Sequence, residues 1–257
     1  MRLRIRRAGV LIDGGLGLKA VLAVAAFVAM ALLAGLGTAS SQTTGELDLN
    51  GVAIQVEPLT LSGDFTIAAF VTLDGEVSNA DALLGSGTDT RTGQNLNFHN
   101  GQFRLFAGRP DRDVVVADTA LEPGVSTHFS IVRSGATTSI YVDGVLDATG
   151  TGWTGDFTID QIGAGANSLL SGGTQGQLDD IQIWGEARSA AELATDMTGA
   201  VDNADSALER RYTFDGATDV VEDVTGNSPD VPLPPGASII GASAPPTNPT
   251  NLSLIHI

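Results

Sequence analysis

Two adjacent aspartates, Asp179 and Asp180, are of the residue type that binds a hard cation. Calcium takes several oxygen ligands, which carboxylates and loop carbonyls supply, and glycine-rich segments that could offer carbonyls lie nearby in the chain. No EF-hand loop is present. The pair therefore predicts a structural calcium ion held by Asp180, with Asp179 as a second ligand. The alternative is that Asp180 is an edge charge that discourages pairing between sheets.

Trp153 is the aromatic residue that the sequence places in a loop, within the glycine-rich stretch GTGWTGD. Its ring could stack on the face of a sugar, or it could close the end of the folded domain, and the sequence leaves both open. Asp111 and Asp113 have the i, i+2 spacing that puts two carboxylates on one face of a strand. A glycosidase needs such a pair about 5–10 Å apart, but these two lie beside a turn, which favours a solvated rim.

Signatures of other chemistry do not occur in the sequence. The histidines His99, His128 and His256 are far apart and lack the spacing of metal ligands, and His128 alternates within a predicted strand, which favours a structural role. There is no G-x-S-x-G motif, the commonest signature of serine hydrolases. The loose dinucleotide fingerprint at Gly15–Ala20 has no βαβ unit after it. The sequence therefore predicts no enzymatic activity.

The two aspartates stand at the entrance of a predicted strand. Alternation puts Ile181 and Ile183 on one face, as in a half-buried strand with its other face turned to solvent. Ser189 and Glu192 then have the S-x-x-E spacing of a capping box, which opens a short helix. The stretch GQLDDIQIWGEARSAAEL is thus predicted to be a core strand followed directly by one or two helical turns.

Short alternating runs separated by Gly, Asn and Asp fill the chain from Leu47 onward. The D-G pair at Asp143 and Gly144 is typical of a tight hairpin turn. Ten or more strands at this spacing, with one short helix near the C-terminal end and no helical pattern between strands, predict an all-β sandwich or barrel. One face of an early strand is predicted to carry five buried side chains: Phe65, Ile67, Ala69, Val71 and Leu73.

The two ends of the chain differ in composition from this β region. Residues 1–41 begin with a basic run, continue with an apolar stretch and end in small residues, which predicts a cleaved signal peptide or an N-terminal membrane anchor. Either way the rest of the chain is predicted to be exported, to a secreted or cell-surface location. The proline-rich residues 242–251 predict a linker. Residues 252–257 resemble a translated sequencing adapter, so a further C-terminal domain is predicted to be missing.

Charge and cysteine content exclude several classes of partner and site. The chain has 13 basic and 30 acidic residues, a net charge of −17. Nucleic-acid binding needs clustered positive charge, so a nucleic-acid partner is excluded. The chain has no cysteine, which excludes disulfides and thiolate metal sites. Contact with a membrane is predicted only through the N-terminal segment.

Four segments together resemble the laminin-G-like (concanavalin A-like lectin/glucanase) jelly-roll family, in its prokaryotic branch. LSGDFTIAAFVTLDG is similar to an early strand of that family, with Phe70 where a tryptophan is usual. GVSTHFSIVRSGATTSIYVDGVLDAT is similar to its Y-v-D-G hairpin, although Ser126 stands roughly where a tryptophan is expected. GQLDDIQIWGEARSAAEL is similar to its closing strand and helix, and RRYTFDGATDVVEDVTGNS to a recurrent F-D and D-s-t-G-n segment. The resemblance covers residues 46–241.

This resemblance implies a two-sheet antiparallel jelly-roll sandwich. It places Asp180 where related glucanases and lectins have a structural calcium ligand. It implies an exported module of a larger protein that binds carbohydrate or another surface ligand. A structural spacer or adhesion domain is the alternative, and a glycan-active enzyme a distant one, because the E-x-D-x-x-E strand of the glucanase branch does not occur in the sequence.

Overall fold

The structure is a computed structural model that describes residues 45–77, 81–86, 93–165, 173–216 and 218–241. The predicted signal or anchor segment lies outside these ranges, and so do the predicted linker and the adapter-like end. Among the described residues no helix is long and apolar enough to cross a membrane.

The described ranges hold sixteen strands and one helix. The strands are β1 (Glu46–Asp48), β2 (Ile54–Leu61), β3 (Phe65–Leu73), β4 (Ala82–Gly85), β5 (Asn95–His99), β6 (Gln102–Phe106), β7 (Asp113–Ala120), β8 (Thr127–Ser134), β9 (Thr137–Val142), β10 (Val145–Thr151), β11 (Phe157–Ile162), β12 (Gly176–Trp184), β13 (Leu208–Tyr212), β14 (Val220–Val221), β15 (Val231–Pro232) and β16 (Ser238–Ile240). The helix, α1, is Ala190–Asp196.

The strands form two large sheets and one small one. The larger sheet has the order β10-β9-β8-β3-β12-β1-β16, with β13 also paired to β12. The second has the order β2-β11-β4-β5-β6-β7, and β14 pairs with β15. The paired strands are antiparallel, for example β3 with β8 and β12. This confirms the prediction of an all-β, two-sheet jelly-roll sandwich with one short helix.

The core lies between the two large sheets, as the alternation in β3 predicts. All five predicted inward residues of β3 are at most 1% exposed. They pack in one apolar cluster with residues of the second sheet, where Phe98 and Phe103 have ring centroids 5.4 Å apart and both contact Phe129 of β8. Burial of these large rings contributes much of the stability of the sandwich.

The outer face of β12 is also buried, which corrects the prediction of a half-buried strand. Gln182 and Trp184 are 1% and 2% exposed, because the segment after β12 folds back over them. Arg188 stacks on Trp184, with its guanidinium carbon 4.0 Å from the ring centroid. Gln182 Nε2 lies 3.4 Å from the carbonyl oxygen of Asp196 at the end of α1. The larger sheet therefore carries a second, polar layer of buried side chains.

The start of α1 confirms the predicted capping box. The Ser189 hydroxyl accepts from the backbone N–H of Glu192 at 3.4 Å, and the Glu192 carboxylate accepts from the backbone N–H of Ser189 at 2.7 Å. The predicted hairpin turn is present as well, since Asp143 and Gly144 join β9 to β10 with positive φ at both residues.

Candidate functional site

One pocket brings Trp153, the predicted loop aromatic, together with the two aspartates of the predicted rim. Its volume is about 440 Å³ and it contains Trp153, Asp111 and Asp113. Asp113 is the first residue of β7, whereas Trp153 follows the end of β10. The remaining lining residues are Val114, Thr151, Gly152, Thr154 and Gly155. The sequence predicts a solvated rim at the two aspartates, and both are indeed exposed.

The pocket exists because the edge strands of the two large sheets, β7 and β10, approach each other. A bulge in β10 between Leu146 and Ala148 lies at Asp147, whose carboxylate reaches across to β7. It accepts from the backbone N–H of Asp118 at 2.6 Å and of Thr119 at 3.3 Å. These bonds satisfy backbone donors on an edge strand and hold the two walls of the pocket together.

Trp153 is fixed from behind by a buried arginine. The guanidinium carbon of Arg133 lies 5.0 Å from the ring centroid of Trp153 and 4.6 Å from that of Phe65. The same guanidinium donates to the carbonyl oxygens of Gly63 and Gly155. Trp153 is only 8% exposed, so it closes the end of the sandwich and also presents a small part of its ring to the pocket.

Carboxylates dominate the electrostatics of the pocket. Asp113 pairs with Arg104 across 2.6 Å, and its side chain is 41% exposed. Burial lowers the pKa of Arg104, and the charge of Asp113 opposes that shift. Asp111 is exposed and belongs to none of the ion pairs between described residues. The pocket therefore offers hydrogen-bond acceptors with negative charge, together with the hydroxyls of Thr151 and Thr154.

The predicted calcium residues, Asp179 and Asp180, lie inside β12 rather than at its entrance. The register between β12 and β3 shifts between Asp179 and Gln182, and Asp180 has φ of 43°, which identifies a β-bulge. On its other side β12 pairs with β1 before the bulge and with β13 after it. Because β12 is an interior strand, Asp180 is not an edge charge, and that alternative is wrong.

The carboxylate of Asp180 is engaged with protein donors. Its Oδ1 accepts from Arg211 Nε at 2.7 Å and its Oδ2 from Gln182 Nε2 at 2.8 Å. The described residues contain no group of three or more acidic or histidine side chains that could hold a metal ion. These contacts do not favour a calcium ion at Asp180, because ligation at Oδ1 would displace the Arg211 guanidinium and ligation at Oδ2 would displace the Gln182 amide. Calcium binding by Asp179 and Asp180 stays a prediction.

Asp179 has different surroundings. The pKa of Asp179 is raised to about 7, mainly by burial and also by the nearby carboxylates of Asp180, Asp215 and Glu46, while a hydrogen bond from the Asp180 N–H opposes the shift. That bond is 2.7 Å long. Asp215 lies close because its Oδ1 accepts from the backbone N–H of Gly45 at 2.8 Å, just before β1. Asp179 is therefore a carboxyl group that gains a proton near neutral pH.

This shift predicts how Asp179→Asn changes stability with pH. In the folded state the Asp179 carboxyl is protonated below about pH 7. In the unfolded chain it is ionised at every pH above about 4. The wild type thus gains stability as the pH falls through this window, and asparagine, which does not titrate, gains none. We expect the substitution to stabilise the fold at pH 8, by on the order of 1 kcal/mol after solvent screening, and to have a smaller effect at pH 5.

Melting temperatures at pH 5 and pH 8 measure this difference. Asp230→Asn, at an exposed position, is the matched control and should change the melting temperature equally at both. An equal effect of Asp179→Asn at the two pH values would contradict the assignment.

His128 is buried, as its alternation in the sequence predicts. It is 1% exposed, its ring lies edge-on to Phe70 at 4.8 Å between centroids, and its backbone N–H donates to Asp143 at 3.0 Å. Burial lowers its pKa to about 4, so the ring is neutral at physiological pH. It does not line the pocket, and the charges of Asp180 and Asp143 oppose the lowering of its pKa.

The comparisons with known proteins identify the family. The model of the concanavalin A-like lectin/glucanases superfamily, a laminin G domain family, matches residues 47–194. The chain belongs to this family. No curated protein matches the sequence.

Two solved structures show the same fold. One is a candidate carbohydrate-binding protein from Bacteroides ovatus, at 20% identity and a TM-score of 0.63, with 79% of this chain and 61% of that one covered. The other is domain 4 of AbnA, an extracellular arabinanase from Geobacillus stearothermophilus, in complex with arabinotriose. It has 18% identity and a TM-score of 0.50, with 57% of this chain and 73% of that one covered. The chain thus spans about three fifths of the length of the Bacteroides ovatus protein.

Proposed function

We propose that this chain is an exported carbohydrate-binding module of a larger protein, and that it binds its glycan in the pocket at Trp153. The observation that carries the proposal is the meeting of Trp153 with Asp111 and Asp113 in one open cavity. A site that binds sugars needs a rigid aromatic surface beside polar groups that fix the hydroxyls. The two structural neighbours, one a candidate carbohydrate-binding protein and one with arabinotriose bound, support the same class of ligand.

The charges in the pocket define which glycans fit. Carboxylates accept hydrogen bonds from sugar hydroxyls, and such charge-assisted bonds are among the stronger ones. The lining residues include no cation, and Arg104 is already paired with Asp113. A glycan that carries carboxylates would meet like charge at Asp111. The pocket therefore suits neutral sugars and disfavours uronic and sialic acids.

The binding test compares the full chain with two pocket variants. We expect neutral oligosaccharides to bind, and Asp111→Asn to weaken that binding about tenfold, because it removes the charge from an acceptor whose bond is worth roughly 1.5 kcal/mol. Trp153→Ala should weaken binding as well, but it also opens a cavity at a core residue that is only 8% exposed, so its melting temperature is measured beside its binding. A glycan array followed by titration calorimetry measures this. Asp230→Asn, remote in sequence and exposed, should bind like the wild type.

Two results would contradict the proposal. Binding that survives both pocket substitutions would place the site elsewhere on the module. No binding to any glycan would favour the alternative, a spacer or adhesion domain of a surface protein. The superfamily includes glucanases, so turnover of the bound oligosaccharides is measured in the same samples, and the proposed binding module predicts none.

A further inference from the structure

We infer that the guanidinium of Arg211 serves as the built-in cation of the β12 bulge, so that the fold is held there without a calcium ion at Asp180. Two independent contacts carry the inference. Arg211 Nε donates to Asp180 Oδ1 at 2.7 Å, and Gln182 Nε2 donates to Asp180 Oδ2 at 2.8 Å. Each oxygen of the carboxylate thus has a protein donor, and the charge of Asp180 has a partner of opposite sign.

The pair of Asp180 and Arg211 is buried, so replacing Arg211 with a metal ion would be costly. The side chains of Asp180 and Arg211 are 12% and 8% exposed. A calcium ion takes six to eight oxygen ligands, from carboxylates and carbonyls, and the described residues contain no group of three or more acidic or histidine side chains that could hold one. To bind Oδ1 of Asp180 the ion would have to expel Arg211, leaving a buried guanidinium without its counter-charge, and to bind Oδ2 it would have to displace the Gln182 amide. Breaking a buried pair in this way is strongly unfavourable.

Arg211 is itself held in place from two further directions. Its Nη1 donates to Asn203 Oδ1 at 2.9 Å. Its backbone N–H donates to Asp223 Oδ1 at 3.1 Å. The guanidinium therefore links the bulge of β12 to the loop after α1, whereas the backbone N–H of Arg211 links β13 to the loop after β14. A structural metal ion could join such neighbouring segments, and here the side chain of Arg211 joins them.

The first test uses calcium and a chelator on the full-length protein. We expect the melting temperature to be the same, within the error of the measurement, with excess EDTA and with millimolar calcium. In equilibrium dialysis with calcium alone, the wild type and Asp180→Asn should bind the same amount of calcium. A calcium-dependent rise in melting temperature that disappears in Asp180→Asn would overturn the inference. A rise that persists in Asp180→Asn and disappears in Asp179→Asn would place an ion beside the bulge and leave Arg211 as the partner of Asp180.

The second test is a double-mutant cycle on the ion pair between Asp180 and Arg211. Arg211→Gln should lower the melting temperature by about ten degrees, since it leaves Asp180 buried and unpaired. Asp180→Asn should also lower it, and the double variant should lose less than the two losses added. Arg109→Gln, at an exposed arginine, is the control. Additive losses would overturn the inference. Neither test measures glycan binding, so failure here and failure of the binding proposal are separate results.

Discussion

Gly150→Val is expected to lower the free energy of unfolding by about 3 kcal/mol and to weaken glycan binding at the same time. Gly150 lies in β10 where that strand packs against Val114 and Val115 of β7. A Cβ atom at this position would lie far inside the contact distance of the Val114 carbonyl oxygen and 3.3 Å from Val115 Cβ. The obstacle is backbone, which cannot rotate away, so the two strands must separate.

That separation would alter the pocket as well as the sandwich. Asp113 and Val114 form one wall and Thr151 and Gly152 the other, and Gly150 directly precedes the second wall. Urea unfolding measures the stability, and calorimetry with the oligosaccharide identified for the wild type measures the binding. Gly75→Val is the matched control, because no heavy atom lies within 4 Å of the Cβ it would carry. Equal stability of the two variants would show that β7 and β10 do not depend on this close approach.

The fold could be predicted from local patterns because each pattern is determined by residues within a single strand, helix or turn. Alternation in β3 is set by the pleat of the strand itself. The capping box at Ser189 and the turn at Asp143 depend on residues three positions apart or fewer. Such features need no knowledge of the partner segment.

The contacts of the candidate sites could not be predicted in the same way, because they join distant segments. Asp180 and Arg211 are 31 positions apart, and the bulge that turns Asp180 toward Arg211 is one extra residue within an otherwise regular strand. Trp153 meets Asp111 only because β7 and β10 come together at the edges of two different sheets. From the sequence alone, Asp180 is predicted to be a cation ligand, Trp153 an aromatic residue in a loop, and Asp111 part of a solvated rim.

One missed residue did have a signal in the sequence. Arg133 follows Phe129 and Ile131 at alternate positions in β8, so the period of two places it on the inward face. It is 1% exposed and lies behind Trp153. A charged residue in phase with an apolar face indicates a buried partner, and here the partners are two aromatic rings and two carbonyl oxygens.

Asp223→Ala is the second substitution with a large expected effect, a loss of about 3 kcal/mol or more in the free energy of unfolding. The carboxylate is 3% exposed and accepts five hydrogen bonds. Oδ1 accepts from the Arg211 N–H at 3.1 Å and from the N–H and hydroxyl of Thr225 at 3.2 and 2.7 Å. Oδ2 accepts from the N–H and hydroxyl of Ser228 at 3.0 and 2.9 Å. Alanine would leave these donors without their acceptor.

The effect is large because of where the loop lies. The family match ends at residue 194, yet β13 completes the pairing of β12 after the bulge, and Asp223 ties β13 to the loop that follows β14. Releasing that tie should loosen the strand that presents Arg211 to Asp180, so the loss of stability should exceed that of a surface loop. Denaturant unfolding of Asp223→Ala beside Asp230→Ala, an exposed aspartate of the same segment, measures the difference. If both variants unfold at the same denaturant concentration as the wild type, the hydrogen bonds to Asp223 contribute no stability to the sandwich.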